Sequence, residues 1–328
     1  MTNPHPPVPR RDMLCVVLSY NGYEDTVACL DSLRAQHVTG FDLLVIDNAS
    51  KQGIAPALAS AYPDVELIAL AENKGWAGGN NVGIRLGLER GYRWICLLNN
   101  DTVFPEGQAQ AWISAALDCA PCLLHPAIYY WDEPKVAQLH PALDGRQSSY
   151  TPLQDGTGRQ HMNFAYGACL AVHRDIFEKI GLFDERFFLQ LEETDFHLRA
   201  ENKGFRAICD DSIIIFHKES RAFGGTRAAI KTYYSTRNTL LLIEKNYHGI
   251  GGWLQALKRL YWSLSHLAAA TECQPQVRNT QFLLWVCSRA PSARAARHGV
   301  FHYLTRRFGK VSDVFRTALA TSEKSYRK

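Results

Sequence analysis

The stretch WICLLNNDTVFP (Trp94–Pro105) sets a short apolar run against a polar turn, Asn99-Asn100-Asp101, and decides how the first half of the chain is read. An apolar run of this length bounded by turn signals predicts a buried strand. Toward the N-terminus the same unit recurs. Leu14–Leu18, Leu43–Ile46 and Val65–Leu70 are apolar runs, each followed by a helical pattern: Val27, Leu30 and Leu33, then Ile54–Tyr62, then Gly78–Arg90. Short buried strands alternating with helices predict an α/β fold with a mostly parallel central sheet covered on both faces. Ligands of such sheets bind beyond the carboxyl ends of the strands. There the sequence places four polar clusters: Ser19-Tyr20-Asn21, Asp47-Asn48-Ala49-Ser50, Asn73-Lys74-Gly75 and Asn99-Asn100-Asp101.

Toward the C-terminus, residues 132–160 are rich in turn formers (Pro134, Pro141, Gly145, Pro152, Gly156, Gly158) and read as a mobile loop over the site. The pattern resumes with a strand at Ala168–Val172, a helix at Arg174–Ile180, a helix from about Glu192 to Lys203 and a strand at Ser212–Phe216. Beyond Thr226 nearly everything has helical spacing. The expected organisation is a disordered Pro-rich segment, 1–12, a catalytic domain, 13–225, and a helical region, 226–328.

Hydrophobic residues make up 46% of the chain and charged residues 21%, the balance of an ordinary globular protein. The net charge of +4 hides an asymmetry: residues 245–328 hold 14 Lys/Arg against 3 Asp/Glu, a net +11, which leaves −7 for residues 1–244. Arg10 and Arg11 precede an apolar run, Met13–Leu18, too short for a secretory signal, and no window reaches the ~18 apolar residues of a membrane span. The 9 cysteines are odd in number and scattered through apparent core, which favours reduced thiols and a cytoplasmic setting. Cys119-Ala-Pro-Cys122 has C-x-x-C spacing but no second pair, and reads as two thiols near a helix end.

Asp101, held just past a strand, suits a hard divalent cation, because Mg²⁺ or Mn²⁺ needs only one or two carboxylates when diphosphate oxygens fill other positions. The same triplet also reads as a turn capping the next helix. Glu192-Glu193-Thr194-Asp195 puts three carboxylates at a helix start, either as dipole-favoured capping or as a general base whose pKa crowding and the aromatic Phe183–Phe188 stretch raise. Asp195 and Arg199 have i,i+4 spacing and read as a pair, which favours Glu193 over Asp195 as the base. His217 closes an apolar strand, where it is either structural or a metal ligand, and Lys218-Glu219-Ser220-Arg221 after it suits phosphate. The glycine-rich turn Asn73–Asn81 opens a helix and permits close approach of an anion. It matches neither the dinucleotide fingerprint nor the P-loop.

Together these residues resemble the family-2 glycosyltransferases, in particular their bacterial rhamnosyltransferase-like branch. The resemblance rests on VVLSYNG (Val16–Gly22), VIDNAS (Val45–Ser50), NKGWAGGNNVG (Asn73–Gly83), LLNNDTVF (Leu97–Phe104), YGACLAVHRDIFEKIGLFDERFF (Tyr166–Phe188), LEETDFHLRAENKGF (Leu191–Phe205) and IIIFHKES (Ile213–Ser220), and covers about residues 12–245. It implies a GT-A fold and an inverting single displacement on a nucleotide-diphospho-sugar, dTDP-rhamnose or a UDP-sugar, with a saccharide or lipid-linked acceptor. It also implies Mg²⁺ or Mn²⁺ as cofactor. By position, Ser19, Tyr20, Asn21, Asp47 and Asn48 fall where the family binds the nucleotide. Asn73, Lys74, Gly75 and Gly78 fall beside the donor, and Gly167 and Ala168 line the donor–acceptor cleft. Asn99-Asn100-Asp101 occupies the family's DXD position, with Asp101 as the metal-binding carboxylate. Asn99 departs from the family by replacing a carboxylate, although its amide oxygen remains a candidate ligand. His217 matches a histidine that completes the metal site. Glu193 falls at the base position, where the family often has Asp, and its longer side chain leaves Glu192 as the alternative.

In the basic region, Trp253, Leu254, Leu257, Leu260, Tyr261, Leu264 and Leu267 follow helical spacing with Lys258 and Arg259 interleaved. Arg289, Arg294, Arg297, Arg306, Arg307 and Lys310 follow. The stripe packs on the catalytic domain or on a second copy in a homo-oligomer, or it attaches the protein to the anionic inner face of a membrane. Nucleic acid is not expected, since no such module accompanies the charge. A sugar nucleotidyltransferase would carry a glycine-rich N-terminal phosphate loop, which is missing here, and a non-catalytic scaffold would be expected to lose the site carboxylates.

Overall fold

The computed structural model describes residues 12–51, 53–143, 147–218, 229–247, 249–271 and 284–326. The Pro-rich N-terminal segment before Asp12, Gly145, and Glu219-Ser220-Arg221 lie outside the described residues, as do the side chains of Arg259 and Leu267. The chain divides into two compact units, Met1–Leu182 with Phe196–Glu219, and Phe183–Asp195 with Ser220–Lys328.

In the first unit the four expected strands form: β1 (Met13–Ser19), β2 (Phe41–Asp47), β3 (Glu66–Ala69) and β4 (Trp94–Asn99). They lie parallel in the order β3-β2-β1-β4. All seven residues of β1 are buried, which is why it reads as a continuous apolar run and not as an alternation. The helices α1 (Tyr23–Arg34), α2 (Ile54–Ala61) and α3 (Gly75–Glu89) connect these strands.

Helix α3 lies unusually close to the sheet. A Cβ at Gly79 would stand 2.5 Å from Leu18 Cδ1, and one at Gly83 2.5 Å from Val16 Cγ1. Gly79, Gly83 and Gly87 recur every four residues and form one helix face, so the glycine content of this region serves helix–sheet contact as well as the turn.

The remaining elements of the sheet unit are β5 (Thr102–Val103), α4 (Gln108–Leu117), β6 (Leu123–Tyr130), β7 (Ala137–Leu139), β8 (Tyr150–Pro152), β9 (Gln160–Met162), β10 (Cys169–His173), α5 (Arg174–Ile180), the part of α6 (Glu192–Glu201) from Phe196 onward, and β11 (Ala207–His217). The sheet continues past β4 as β10-β6-β11-β9-β8, with β5 paired to β11 and β7 to β6. Strand β10 runs antiparallel between β4 and β6, whereas β6 and β11 are parallel, so a mostly parallel sheet carries antiparallel insertions. The turn-rich stretch 132–160 is therefore not only loop. It holds β7, with Gln138 and Leu139 buried, and β8. Three-residue strands are too short to leave a periodic signature in sequence. The described cysteines are all free, and Cys119 Sγ and Cys122 Sγ stand 3.2 Å apart.

The second unit is helical: α7 (Ala229–Asn246), α8 (Gly249–Thr271), α9 (Pro291–Leu304) and α10 (Asp313–Tyr326), with the turn that opens α6. Helices α7 and α9 touch at Gly299, where a Cβ would lie 2.9 Å from Tyr233 O. Leu264 on α8 packs with Trp285, Ala290, Ala293 and Ala296. Ile250, Trp253, Leu254 and Leu257, spaced i, i+3, i+4 and i+7 on the same helix, are exposed. Among the described residues, no helix is long and apolar enough to cross a membrane.

Candidate active site

Strand register brings the polar clusters to one rim. Ser19 pairs with Asp47, Leu18 with Asn99, and Asp47 with Ala69. The turns beyond are stitched together. Asn21, in the left-handed region at φ 57°, receives the Lys51 N–H on its Oδ1 at 2.8 Å and donates its own N–H to Ser50 Oγ at 2.8 Å. Asn48 spans to the next turn, donating to Gly75 O at 3.0 Å and accepting the Lys74 N–H at 2.8 Å. Asn73 Oδ1 accepts the Gly75 N–H at 2.8 Å, and Gly75 takes the positive φ of 72° that this turn requires. Lys74 is exposed, Tyr20 is half-buried, and Gly78 is buried in the first turn of α3.

Asp47 is 4% exposed; its Oδ2 accepts the Ser50 N–H at 3.3 Å, while its Oδ1 is buried and has no partner among the described residues. Such an oxygen costs free energy unless a donor reaches it, which makes Asp47 a candidate contact for a ligand N–H or O–H. Ser19 is different. The Thr26 hydroxyl donates to Gly22 O at 2.6 Å, so Ser19 Oγ, 2.9 Å from Thr26 Oγ1, donates to Thr26. Asn100 donates to Gly22 O at 3.1 Å and to Thr26 Oγ1 at 2.9 Å. Ser19 and Asn100 thus hold the start of α1.

Asp101 and His217 are brought together: His217 Nε2 lies 3.2 Å from Asp101 Oδ1. The pairing of β5 with the end of β11 and the Lys218 N–H to Asp101 O bond at 3.0 Å fix their backbones. Burial opposes ionisation of Asp101, but His217 in its imidazolium form, with a proton on Nε2 as well as on Nδ1, outweighs it by hydrogen bond and charge, aided by Lys218, and holds the carboxyl below its ordinary range. Neighbouring donors on an octahedral ion with ~2.1 Å bonds stand about 3 Å apart, so a carboxylate oxygen and an imidazole nitrogen at this spacing fit Mg²⁺ or Mn²⁺. Among the described residues no cluster of three His, Cys, Asp or Glu side chains is poised for a metal. A cation held by Asp101 and His217 would leave its other positions to neutral groups such as Asn99, to a substrate and to water.

Asn99 lies between this pair and α3. Its Oδ1 accepts the Trp76 indole N–H at 2.9 Å, and its Nδ2 stands 3.4 Å from His217 Nε2. Its backbone N–H donates to Ala168 O at 2.9 Å. A Cβ at Gly167 would meet Trp76 Cζ2 at 2.9 Å, so the indole requires glycine there. Trp76, Gln138 and Tyr166 were not singled out as site residues by sequence. Trp76 lies in the glycine-rich turn and Tyr166 opens the Tyr166–Phe188 motif, whereas nothing in the turn-rich stretch marks Gln138. Lys218 donates to Asp25 Oδ1 at 2.5 Å, with its ammonium 5.4 Å from the Trp131 ring centre.

In the second unit, the acidic turn stands on strained backbone. Phe188, Gln190 and Leu191 have φ of 66°, 75° and 71°, a conformation unfavourable for side chains of this size. Buried groups of α7 hold it: Asn238 Nδ2 lies 2.9 Å from Phe187 O and 2.8 Å from both Leu189 O and Gln190 O, and Arg237 donates to Phe187 O at 2.9 Å. Asp195 is fully buried and bonded by Lys245 at 2.9 Å and Asn246 at 3.0 Å, while Arg199 donates to the Ile180 and Leu182 carbonyls. Glu192 is 3% exposed with Oε2 unpartnered among the described residues, and burial, with Glu193 beside it, pushes its pKa far up. Glu193 is half-buried, and desolvation raises its pKa to about 7.

Residues 15–181, just over half of the chain, match the Glycosyl transferase family 2. The dTDP-rhamnosyl transferase RfbF of Shigella flexneri is 23% identical over 278 residues, spanning 78% of this chain and 86% of that protein. The N-acetylglucosaminyl-diphospho-decaprenol L-rhamnosyltransferase of Mycobacterium tuberculosis is 23% identical over 284 residues, 77% of this chain and 89% of its own. Among solved structures, the mannosyltransferase PcManGT from Pyrobaculum calidifontis, in complex with GDP-Man and Mn²⁺, superposes with a TM-score of 0.56 over 92% of this chain and 89% of that one, at 16% identity. At that identity the likeness is one of fold, and the fold is the GT-A fold that the motifs imply.

Proposed function

We propose, from the premise that the chain belongs to glycosyl transferase family 2, that this glycosyltransferase moves rhamnose from dTDP-rhamnose to a hydroxyl of a saccharide or lipid-linked saccharide acceptor, by inverting, metal-dependent transfer. The observation that carries this reading is the 3.2 Å approach of Asp101 Oδ1 and His217 Nε2 on the strand-end rim. The choice of rhamnose rests on what two relatives are named for, RfbF and the mycobacterial enzyme. A UDP-sugar is the alternative donor.

Asp47 Oδ1 and Tyr20 face the nucleotide in this reading. Asn21, Asn48, Asn73 and Gly75 give the turns their shape, and Lys74 and Gly78 lie on the side of the sugar diphosphate. Gly167 and Ala168 line the cleft. A bound Mg²⁺ or Mn²⁺ supplies positive charge against the negative charge that builds on the departing diphosphate. Asp101 and His217 would hold it, with the Asn99 amide oxygen as a third candidate ligand. Glu193 takes the proton from the acceptor hydroxyl, since a base poised near 7 is half ionised at neutral pH. Glu192 keeps its proton, and Asp195 is committed to Lys245. A lipid-linked acceptor fits an enzyme held at an anionic membrane's cytoplasmic face, which the exposed Ile250, Trp253, Leu254 and Leu257 beside Lys258 on α8 would favour.

The test is transfer from dTDP-rhamnose, UDP-glucose and UDP-N-acetylglucosamine to a polyprenyl-diphosphate saccharide, with Mn²⁺, with Mg²⁺ and with EDTA. Transfer of rhamnose lost in EDTA and restored by metal is expected. Transfer that is indifferent to EDTA, or that uses only the UDP-sugars, would overturn the metal or the donor assignment respectively. Vesicles of phosphatidylglycerol should pellet the protein at low salt; no pelleting would remove the membrane from the proposal.

A further inference from the structure

Gln138 grips His217 at two points. Its Nε2 donates to the backbone His217 O at 2.9 Å, and its Oε1 lies 2.7 Å from His217 Nδ1. Tyr166 Oη donates to the same Oε1 at 3.1 Å, and its ring meets the imidazole edge-on with centroids 6.4 Å apart. Gln138 is 7% exposed and His217 5% exposed, so water does not compete freely for these bonds.

The orientation of the amide follows from its partners. A backbone carbonyl accepts only, so the atom facing His217 O is the NH₂. The atom facing Nδ1 is then the amide oxygen, and it demands a proton on Nδ1. In a neutral imidazole this leaves Nε2 unprotonated, aimed at Asp101 Oδ1 and Asn99 Nδ2. A lone pair facing a carboxylate oxygen at 3.2 Å is repulsive unless a proton or a cation lies between them.

We propose that Gln138 is a positioning residue that fixes the His217 proton on Nδ1 and so presents Nε2, with Asp101, as a ready-made pair of ligands for a divalent cation. The use made of this pair rests on the metal-dependent reading above, whereas the proton's location is a property of the chain alone. Buried outer partners of metal-bound histidines act in this way generally, and their loss costs about 10–100-fold in metal affinity. The buried strand β7 thus supplies the site with a part, although it carries no ligand itself.

The test compares the wild type with Gln138→Leu, which removes the amide at similar size, and Gln138→Glu, whose carboxylate still accepts from Nδ1 but no longer donates to His217 O. Imidazole ¹⁵N NMR of the metal-free protein above neutral pH, with the His217 signals assigned by their loss in His217→Ala, reads the tautomer directly. Mn²⁺ titration followed by electron paramagnetic resonance reads affinity. We expect Nδ1 protonated in the wild type and in Gln138→Glu. In Gln138→Leu the proton should move to Nε2, and Mn²⁺ affinity should fall about 10–100-fold. A wild type whose neutral His217 carries its proton on Nε2 would overturn the proposal, as would a Gln138→Leu protein that binds Mn²⁺ as tightly as wild type. If the wild type has Nδ1 protonated yet binds no Mn²⁺, the tautomer assignment holds and the metal-dependent function fails. A tautomer shift in a Gln138→Leu protein that keeps the wild-type Tm separates positioning from a general packing defect.

Discussion

Asn99 Oδ1 accepts the indole N–H of Trp76 at 2.9 Å, across the gap between the end of β4 and the first turn of α3. The residue that departs from the family's carboxylate is therefore engaged on its oxygen side by an uncharged donor, and its amide nitrogen faces His217. Asn99→Asp keeps an acceptor for Trp76 and adds a negative charge beside Asp101. Mn²⁺ affinity should rise roughly tenfold, because affinity at such sites follows the count of charged ligands. Unchanged affinity by electron paramagnetic resonance titration would mean that position 99 lies too far from the cation to matter.

Glu193→Gln should lower kcat by about 10²–10⁴-fold, the usual worth of a general base, with donor affinity in thermal shift unchanged. In the wild type, kcat should climb as pH rises through about 7, because the base works only after losing its proton. Glu192→Gln should leave that limb in place. A profile that is flat from pH 6 to 8 would remove Glu193 from the role.

The strained turn before α6 depends on Asn238, whose amide nitrogen lies within 2.9 Å of three carbonyls. Asn238→Ala leaves buried acceptors unsatisfied at about 1–3 kcal/mol each. It should lower Tm by several degrees and reduce kcat more than donor affinity, since the turn presents Glu193. Equal losses in both kinetic terms would argue that the clamp has only a folding role.

Gly83→Ala should be destabilising by about 1–3 kcal/mol in chemical denaturation, as overpacking usually is, because its Cβ would fall 2.5 Å from Val16 Cγ1. Adding Val16→Ala makes room and should recover much of that loss. A double variant no more stable than Gly83→Ala would show that the strain lies elsewhere in α3.

The core of the fold was legible because its signal is local. Runs such as Leu14–Leu18 and Trp94–Leu98 are apolar throughout, since parallel strands are buried on both faces, and their polar ends mark the rim. Strands β7 and β8 were not legible, because three residues in a Pro- and Gly-rich stretch carry no period. The i,i+4 spacing of Asp195 and Arg199 is readable along the chain, but the bonds that Lys245 and Asn246 make to the same carboxylate come from some fifty positions away in sequence and left no local sign. Helical spacing on α8 was legible as a stripe, but not that its Leu264 end packs in a cluster while its Ile250–Leu257 end is exposed.

The sequence by itself determined the alternation of strand and helix, the rim on which the polar clusters stand, and the order of motifs that places the chain in its family. Periodicity, turn chemistry and residue type are written along the chain and need no third dimension. Only the tertiary structure decided what each polar group does there. Ser19 and Asn100 are spent holding α1, Asp47 keeps one buried oxygen without a partner among the described residues, and Gln138 dictates the proton on a histidine 79 positions away. Hydrogen bonding and desolvation depend on which groups meet and how much water is excluded, and both are set by strand register and helix packing across distant stretches of chain.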